Sequence, residues 1–420
     1  MNANSNKIQT LKQQVREVLE ENILRFWLDY MQDDEHGGFY GRMDGHCVLH
    51  ADADKGAILN ARILWSFSAA YRVLAHVSPR SPHLPKYLEA ATRAKRYFMN
   101  HFIDREYGGV YWSIDFKGRP KDTKKQFYAI GFAIYGLSEY ARATGNEEAL
   151  AEALKLFDCI EEHAKEPEYN GYIEAMTREW EPMSDMRLSD KDANYPKSQN
   201  THLHIIEPYT NLLRVAREAA TVSPEVVRRI EAAVRNLLVI FVQCILNKET
   251  HHLDLFFEND WTRGGGHRES YGHDIECSWL MHEAALVLGD HDMLSEVVPV
   301  VKIVAKASEK GLNADGSMVH EANVDTGEID NDPQWWVQAE AVVGFINIYQ
   351  HFGDESALGK ALHCWEYIKH NLIDEKNGEW YWSRRSDGTL SLDEDKAGFW
   401  KCPYHNSRMC LEILERFPST

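Results

Sequence analysis

Six short segments of one kind recur along this chain of 420 residues, and they constrain the fold more than any other feature. Each places Gly, Asn or Asp at a tight turn and follows it with a short run of alternating aromatic residues, the pattern of a β-hairpin or extended loop. The segments are HGGFYGRMDG (36–45), EYGGVYWSIDFKG (106–118), EYNGYIEA (168–175), THHLDLFFENDW (250–261), NADGSMVHEANVDTGE (313–328) and KNGEWYWSRRSDG (376–388). Six repeats average about 70 residues each, which leaves room for two helices and a decorated loop.

Between these segments, apolar residues recur at i, i+3, i+4 and i+7, as they do in helices. Clear examples are residues 58–74, 127–144 and 335–352, whereas 224–238 has the amphipathic pattern of an outer helix. We therefore expect an all-α fold, an (α/α)6 barrel with short β-hairpins in the loops at one end. An open α-solenoid is the competing architecture. No linker rich in Pro, Gly or Ser interrupts the pattern, which predicts a single catalytic domain over residues 1–420.

The formal net charge of −19 argues against two classes of partner. A strongly acidic chain repels nucleic acid and anionic membrane surfaces, and no stretch approaches the roughly 20 apolar residues of a membrane-spanning helix. The N-terminal segment lacks the apolar core and small-residue cleavage site of a secretory signal. The seven cysteines are widely spread without a CxxC pair, so we expect a reduced cytoplasmic protein with no disulfide framework and no thiolate zinc site.

Three segments combine histidines with carboxylate, amide or guanidinium groups at predicted helix starts: 200–214, 272–288 and 398–414. Imidazole titrates near neutral pH, so their convergence would favour proton transfer on an uncharged polar substrate. His202 and His204 differ by two positions and cannot both face inward on a helix. His273 and Glu276 are three apart and share a helical face, which predicts that Glu276 orients His273. Any one of these histidines alone is more often an ordinary buried or capping residue.

Arginine and tryptophan positions add to this pattern. Arg62 lies in an otherwise apolar helix, where a charge needs a partner or ligand. Trp335 and Trp336 begin another apolar helix, and Trp400 precedes His405. Indole faces suit the C–H faces of sugar rings, although helix-core packing explains any single Trp equally well.

A metal site is weighed because the histidines and Glu276 could supply ligands. The sequence has no HExxH motif or other zinc-spaced cluster, although sites built from distant helices leave no local signature. The glycines of GGGHR (264–268) lack the Lys-Ser/Thr of a phosphate-binding loop. We expect neither a metal nor a phosphate-bound cofactor.

The chain resembles the N-acylglucosamine 2-epimerase superfamily through NTHLHIIEPYTNL, SYGHDIECSWL, DPQWWVQAEAV and FWKCPYHNSR. The resemblance runs through nearly the whole chain. It implies an (α/α)6 barrel that interconverts glucose-type and mannose-type sugars at C2 without a metal or redox cofactor. Within this superfamily, the segments FWKCPYHN and NTHLH most resemble the branch that acts on the reducing-end glucose of β-1,4-linked disaccharides such as cellobiose and lactose. An N-acylglucosamine or monosaccharide 2-epimerase and an aldose–ketose isomerase are alternatives.

The same resemblance implies roles for individual residues. The pair of catalytic acid/bases falls on His273 and His405, a third site histidine on His204, and the enediolate-binding guanidinium on Arg62. The other substrate-binding residues it implies are Tyr128, Asp192, Asn200, Glu276, Trp336, Trp400 and Trp112. The choice between Trp335 and Trp336 stays open. The expected partner is a reducing disaccharide, bound by a monomer or weak homodimer.

Two other classes remain as alternatives. A glycoside hydrolase on the same barrel would use Glu276, Glu340 or Asp192 as acid and base. A non-catalytic sugar-binding protein would keep the tryptophans and tolerate loss of the histidines.

Overall fold

The protein is predominantly helical in a computed structural model that describes residues 3–418. Its α-helices are α1 (Ala3–Glu17), α2 (Arg25–Tyr30), α3 (Ala57–Val77), α4 (Leu84–His101), α5 (Phe127–Thr144), α6 (Glu147–His163), α7 (Gln199–Glu218), α8 (Pro224–Ile240), α9 (Tyr271–Leu288), α10 (His291–Ser308), α11 (Trp335–Phe352), α12 (Glu355–Asn371) and α13 (Tyr404–Arg416). A π-helical stretch, Val18–Leu24, joins α1 to α2; a second, Phe241–Ile245, extends α8, and a 3₁₀ turn, Glu309–Gly311, follows α10.

The odd-numbered helices from α3 to α13 form a closed inner ring. Each packs against the next, and α13 returns to pack against α3. The even-numbered helices α4 to α12 each pack outside an inner helix, and α1 does so for α13, so the two ends of the chain meet in one helix pair. This arrangement confirms the (α/α)6 barrel, and the open solenoid is wrong because the ring closes.

The inner and outer helices differ in burial as their sequences predict. Inner helix α5 is buried on all sides from Phe127 to Ala141. There Gly131 allows close approach to α7, since a Cβ atom at this position would lie 2.3 Å from the backbone oxygen of His204. Outer helix α8 starts with the N-cap Ser223 and buries one face only. The hydrophobic core therefore lies between two concentric layers of helices. The polar side chains of the inner helices that face the barrel axis are available for a site.

A two-residue β-bridge recurs in all six turn segments. The bridges are Gln32–Phe39, Ile103–Val110, Lys165–Tyr172, Leu246–Leu253, Leu312–Met318 and Ile373–Trp380. Each lies between an outer helix and the next inner helix, so the six hairpins gather at the N-terminal end of the inner ring. At the opposite end the connections are short turns; Gly145, in the left-handed conformation (φ 71°), ends α5 two residues before α6 begins. The predicted hairpins at one end are confirmed.

Short antiparallel strands connect the hairpins of neighbouring repeats. They are β1 (Lys55–Gly56), β2 (Ser113–Ile114), β3 (Pro120–Asp122), β4 (Lys125–Gln126), β5 (Ala175–Met176), β6 (Lys197–Ser198), β7 (Phe256–Phe257), β8 (Arg263–Gly264), β9 (Arg268–Ser270), β10 (Glu321–Asn323) and β11 (Glu328–Asp330). The sheets run β1-β2-β3, β4-β5, β6-β7-β8 and β11-β10-β9.

Buried ion pairs repeat where strands meet inner helices. Lys55 and Lys125 each lie two residues before an inner helix, and each is fully buried. Their ammonium groups contact Asp33 at 2.6 Å and Asp104 at 2.8 Å, in the hairpin before each helix. A buried charge is costly without its partner, so these pairs hold each hairpin on the following helix start. Over residues 3–418, no helix is long and apolar enough to cross a membrane.

Candidate active site

Three inner-helix histidines place one ring nitrogen in a hydrogen bond and leave the other without one. Nδ1 of His204 bonds to Glu207 Oε2 at 2.8 Å, and Nδ1 of His405 bonds to Glu340 Oε1 at 2.7 Å. Nδ1 of His273 lies 2.7 Å from the Ser270 hydroxyl. Within the described part of the chain, no hydrogen bond is made by Nε2 of any of the three. A nitrogen fixed on one side and available on the other is the arrangement required of a general acid or base.

Arg408 links the carboxylates beneath these histidines. Its guanidinium is fully buried and donates to Glu276 Oε1 at 2.7 Å and to Glu340 Oε1 at 2.6 Å. It also donates to Glu207 and to the Tyr404 hydroxyl. Three carboxylates from three different inner helices therefore meet one guanidinium, which fixes the helices that carry the histidines relative to one another.

The charge balance of this network is uneven. Burial and the neighbouring charge of Glu340 raise the pKa of Glu276 well above its ordinary value, and Glu276 Oε2 is buried without a hydrogen-bond partner. Burial also acts on Glu207, but Arg408 and the hydrogen bonds from His204 and Tyr404 bring its pKa below the ordinary value. We infer that Glu276 is the member of the network that holds a proton.

Burial lowers the pKa of all three site histidines. For His405 the charges of Arg62 and Arg408 lower it further. For His273 the additional effect comes from other histidines and not from a guanidinium. His204 is lowered by burial despite its bond to a carboxylate. Neutral imidazoles are therefore favoured at neutral pH.

Arg62 faces the same space from α3. It is only 3% exposed, and its Nη2 donates to the Tyr128 hydroxyl at 2.9 Å. The guanidinium carbon lies 4.2 Å from the centre of the Phe132 ring and 4.7 Å from that of Tyr404. Its Nε is buried without a partner, and within residues 3–418 no carboxylate forms an ion pair with Arg62. This is an arginine held by aromatic rings with donor capacity left for an oxyanion.

Trp336, and not Trp335, faces the histidines. The Trp336 ring centre lies 4.9 Å from that of His273 and 5.6 Å from that of His405. Trp335 is buried and packs against Trp382 at 4.4 Å. The geometry therefore favours Trp336 as the stacking residue and gives Trp335 a place in the core.

A second aromatic surface lies beside Arg62. Trp400 is 6.1 Å from Tyr128 and 6.0 Å from Trp112, measured between ring centres. Trp112 packs on Phe399 at 4.9 Å and is 8% exposed. The four rings form a continuous wall along which a sugar could stack.

The remaining candidates differ in their surroundings. Asn200, one helical turn before His204, has a buried Oδ1 without a partner, which suits a site amide. Asp192 accepts hydrogen bonds from the backbone and hydroxyl of Ser189, at 3.0 and 2.9 Å, in the loop before α7. His202 has both ring nitrogens bonded to backbone, Nδ1 to Ser198 O at 2.6 Å and Nε2 to the N–H of Tyr172 at 3.0 Å. It is a structural residue on the outward face.

One predicted contact is wrong: Glu276 does not orient His273. Glu276 turns toward Arg408, while the Ser270 hydroxyl holds His273. The buried Arg408 guanidinium is a stronger hydrogen-bond donor than a neutral imidazole, so the hydrogen bond from Arg408 to Oε1 determines the rotamer of Glu276.

Comparison with known proteins shows the family to which the chain belongs. The family model described as N-acylglucosamine 2-epimerase (GlcNAc 2-epimerase) matches residues 37–408. The chain belongs to the N-acylglucosamine 2-epimerase family. It is 55% identical over 404 residues to a cellobiose 2-epimerase of Bacteroides fragilis, covering 96% of this chain and 98% of the relative. It is 42% identical to a cellobiose 2-epimerase of Ruminococcus albus, with 96% and 98% covered.

A solved structure supports the same relationship. The cellobiose 2-epimerase of Bacillus thermoamylovorans superimposes with a TM-score of 0.89 at 40% identity, covering 97% of this chain and 100% of that one. The similarity between that structure and this chain, a member of the N-acylglucosamine 2-epimerase family, therefore extends over the whole barrel.

Sequence reasoning missed most of the network that orients the histidines in this epimerase-family site. The segment and motif patterns assign no role to Arg408 or Glu207. Each lies three residues after a site histidine, so the i, i+3 spacing that singled out Glu276 applies to both. Glu340, considered only as a hydrolytic residue, is the group that holds His405.

Two clusters within residues 3–418 have the donor atoms of a metal site: His204 with Glu207 and Glu276, and Glu276 with Glu340 and His405. In both, the carboxylates are already bound to Arg408. A dication would have to displace a buried guanidinium of like charge, so the donor sets fit Arg408 better than a metal.

Proposed function

We propose that this protein is a cellobiose 2-epimerase, an isomerase that inverts C2 of the reducing-end glucose of β-1,4-linked disaccharides to give mannose. The relatives of that name cover nearly the whole chain at up to 55% identity. The reaction opens the sugar ring, removes the C2 proton next to the carbonyl, and returns a proton to the opposite face of a cis-enediolate.

The observation that carries this proposal is the placement of His273 and His405 around Trp336. Their ring centres lie 4.9 and 5.6 Å from the indole, and each has Nδ1 engaged and Nε2 without a partner. Two such bases beside one stacking surface can address the two faces of a planar intermediate. One base alone would return the proton to the face it came from.

We assign the first proton abstraction to His405. The Nδ1 proton lies between His405 and Glu340, so Nε2 carries the lone pair. Glu340 stabilises the imidazolium that forms when His405 accepts the C2 proton, whereas His273 has only the Ser270 hydroxyl at Nδ1. His273 therefore releases its proton more readily and delivers it to C2. The roles are exchanged in the reverse reaction.

Arg62 stabilises the negative charge that develops on the enediolate oxygens. Its unpartnered Nε and the absence of a paired carboxylate in the described residues leave it available for this role. A preorganised donor of this kind contributes about 3 kcal/mol to a transition state. Protonated Glu276, with its buried free oxygen, can donate to a sugar oxygen near His405. His204 and Asn200 hold O1 or assist ring opening.

The carboxylates do not suit glycoside hydrolysis. Glu276 and Glu340 bind the same Arg408 nitrogen at 2.7 and 2.6 Å, and both oxygens of Glu340 accept hydrogen bonds. Hydrolases need two carboxyl groups about 5–9.5 Å apart across the scissile bond. A fixed, adjacent pair bound to arginine leaves no room for that bond.

Incubation with cellobiose in D₂O tests the proposal. NMR should detect a mannosyl product with deuterium at C2 of the reducing end and an intact disaccharide. Released glucose, or a mannosyl product formed by enzyme that never exchanges C2 with solvent, would contradict it. Lactose, mannose and N-acetylglucosamine assayed in parallel define the substrate preference, and assays after exhaustive chelation test the expectation that no metal is needed.

We further propose that the enzyme works in the cytoplasm as a monomer or weak homodimer. All seven cysteines are free, and four of them are buried. Light scattering across a concentration series measures the oligomeric state, and a stable higher assembly would contradict that part.

A further inference from the structure

A second cavity opens at the end of the barrel opposite the histidines. It has a volume of about 330 Å³ and is lined by residues from the middle and the C-terminal ends of all six inner helices. Trp65 and Tyr135 form its inner end, with ring centres 5.1 Å apart. The same Trp65 ring lies 5.5 Å from Tyr404, which contacts the Arg408 network from the other side. The two sites are therefore separated by one layer of aromatic rings.

The charges around this cavity are matched. Four arginines and four glutamates line it. Arg72 contacts Glu139 at 2.6 Å and Glu415 at 2.7 Å, and Arg214 contacts Glu283 at 2.9 Å. A bound anion would have to displace a carboxylate from its arginine, and a bound cation would have to displace an arginine from its carboxylate. Each ion pair formed by a charged ligand would therefore break an ion pair of the protein. A neutral ligand fits the cavity better.

The remaining pairs complete this balance. Arg416 contacts Glu412 at 2.8 Å, and Arg142 lies 3.6 Å from Glu139. The guanidinium groups also lie near the C-terminal ends of the inner helices, where the helix dipole favours positive charge. Each arginine and each glutamate of the lining therefore has an oppositely charged partner within the cavity.

One buried donor at the inner end of the cavity is left over. Trp65 is 5% exposed, and its Nε1–H has no hydrogen-bond partner in the described chain. A buried donor without an acceptor is costly, and a ligand oxygen would satisfy it. Asn211 and Asn347 are nearly buried and add amide groups to the lining. An aromatic floor, a free indole N–H, and side amides and carboxylates are the groups that bind a sugar ring by stacking and hydroxyl hydrogen bonds.

We propose that this cavity is a second sugar-binding site, which takes one neutral pyranose ring and is separate from the site of the three histidines. Its volume is at the lower end of the range for small-molecule pockets, which fits one ring better than a disaccharide. The inference does not depend on the epimerase assignment, because it stands on residues of the opposite barrel end.

Methyl β-D-glucopyranoside is a suitable probe, since a glycoside cannot open its ring and does not react. Binding is compared between the full-length wild type and full-length Trp336→Leu, which loses the stacking face of the histidine site and keeps the cavity intact. Saturation-transfer NMR and calorimetry should detect one molecule of glycoside that binds both proteins with the same millimolar affinity. No binding under these conditions would overturn the proposal. Displacement of the glycoside by inorganic phosphate would also overturn it, because that would indicate an anion site.

Leu286 offers the variant for localisation. It lines the cavity and is 43% exposed, so Leu286→Trp can obstruct the opening without disturbing an ion pair. We expect at least tenfold weaker glycoside binding, whereas Leu49→Trp, the same exchange at an exposed leucine of a hairpin, should leave it unchanged. Retained binding in Leu286→Trp would place the glycoside elsewhere and overturn the proposal.

Trp65→Phe gives an independent readout. It keeps an aromatic face and removes the N–H, so binding should weaken about fivefold, as expected for one hydrogen bond. Thermal unfolding of each variant checks that the barrel is intact. Unchanged affinity in a folded Trp65→Phe protein would contradict the assigned role of the indole. The dependence on Leu286 is measured with a non-reacting glycoside, so a failed epimerase assay would leave this result unaffected.

Discussion

The two ends of the barrel use the same kinds of side chain in opposite ways. At the hairpin end, one arginine, Arg408, serves three buried glutamates, and three histidines keep a ring nitrogen without a partner. At the opposite end, four arginines face four glutamates around a cavity. The first arrangement is deficient in positive charge and the second is balanced.

This difference indicates which end carries chemistry. A balanced set of ion pairs is satisfied as it stands, and a proton added to it or removed from it breaks a pair. The hairpin end adds three histidines whose Nε2 has no hydrogen-bond partner among the described residues, and these groups can exchange protons with a substrate. Substitutions at the hairpin end should therefore reduce turnover, and matched substitutions at the other end should not.

The largest effect is expected for the histidines. His405→Asn or His273→Asn should each lower kcat by about 10²–10⁴-fold, because a positioned proton-transfer group is lost. His282→Asn is the matched control, since His282 is buried on α9 near the opposite end and bonds to Asn347 at 3.3 Å. Steady-state assays with cellobiose measure both. Comparable losses in His282→Asn would erase the contrast between the two ends.

Glu340→Gln should lower kcat by about 10²-fold, because the residue holds His405 and stabilises the imidazolium formed on proton abstraction. Loss of the carboxylate charge also lowers the pKa of His405 further, so the acid limb of the pH profile should move to lower pH. A structural role alone would not move that limb. Glu283→Gln, which alters one pair of the balanced set, should leave both kcat and the profile in place.

Trp336→Leu should reduce kcat/KM about tenfold to thirtyfold, equivalent to about 1.4–2 kcal/mol, through loss of the stacking face. Trp335→Leu should instead lower the free energy of unfolding, because Trp335 packs in the core against Trp382. Denaturant titration together with kinetics separates the two effects. If Trp335→Leu impaired kcat/KM more than Trp336→Leu in folded protein, the assignment would be reversed.

The architecture could be predicted because its signals are local and repeated. Six turn segments and apolar periods led to the barrel, and two of the three helices singled out have the predicted bounds, Phe127–Thr144 and Trp335–Phe352. The histidines could also be placed at helix starts from their segments alone. Spacing predicted that His202 and His204 lie on different faces, as the structure shows, and the family resemblance selected His204.

The pairing between helices could not be predicted in this way. Glu276 was expected to contact His273, its neighbour on α9, but contacts Arg408 from α13, which is 132 positions away in the chain. A local rule finds only partners on the same helix. Closure of the ring brings Glu207, Glu276, Glu340 and Arg408 together. No single sequence segment contains a pattern that predicts this contact. The balanced cavity at the other end escaped notice for the same reason.

The smallest expected effect concerns stability at the hairpin end. Glu174 is buried, accepts hydrogen bonds from Ser198 and Thr201 at the start of α7, and has no cation partner in the described chain. Burial raises its pKa to about 8. Glu415 at the opposite end differs: its side chain is 43% exposed, and its ion pair with Arg72 brings its pKa below the ordinary value. The two carboxylates should therefore give stability profiles of opposite sign.

A carboxyl group whose pKa is raised on folding stabilises the folded protein below the pKa of the unfolded chain, and this contribution is lost as the pH rises toward the folded value. Between pH 6 and pH 7 the free energy of unfolding should therefore fall by about 1.4 kcal/mol more in the wild type than in Glu174→Gln, which mimics the protonated acid. Glu415→Gln should show the reverse trend, with a stabilising contribution of Glu415 that is present at neutral pH and lost on acidification. Urea titrations across pH 3–8 measure both, with the exposed Glu179→Gln as control. Parallel profiles for Glu174→Gln and Glu415→Gln would mean that the two ends of the barrel do not differ in charge compensation.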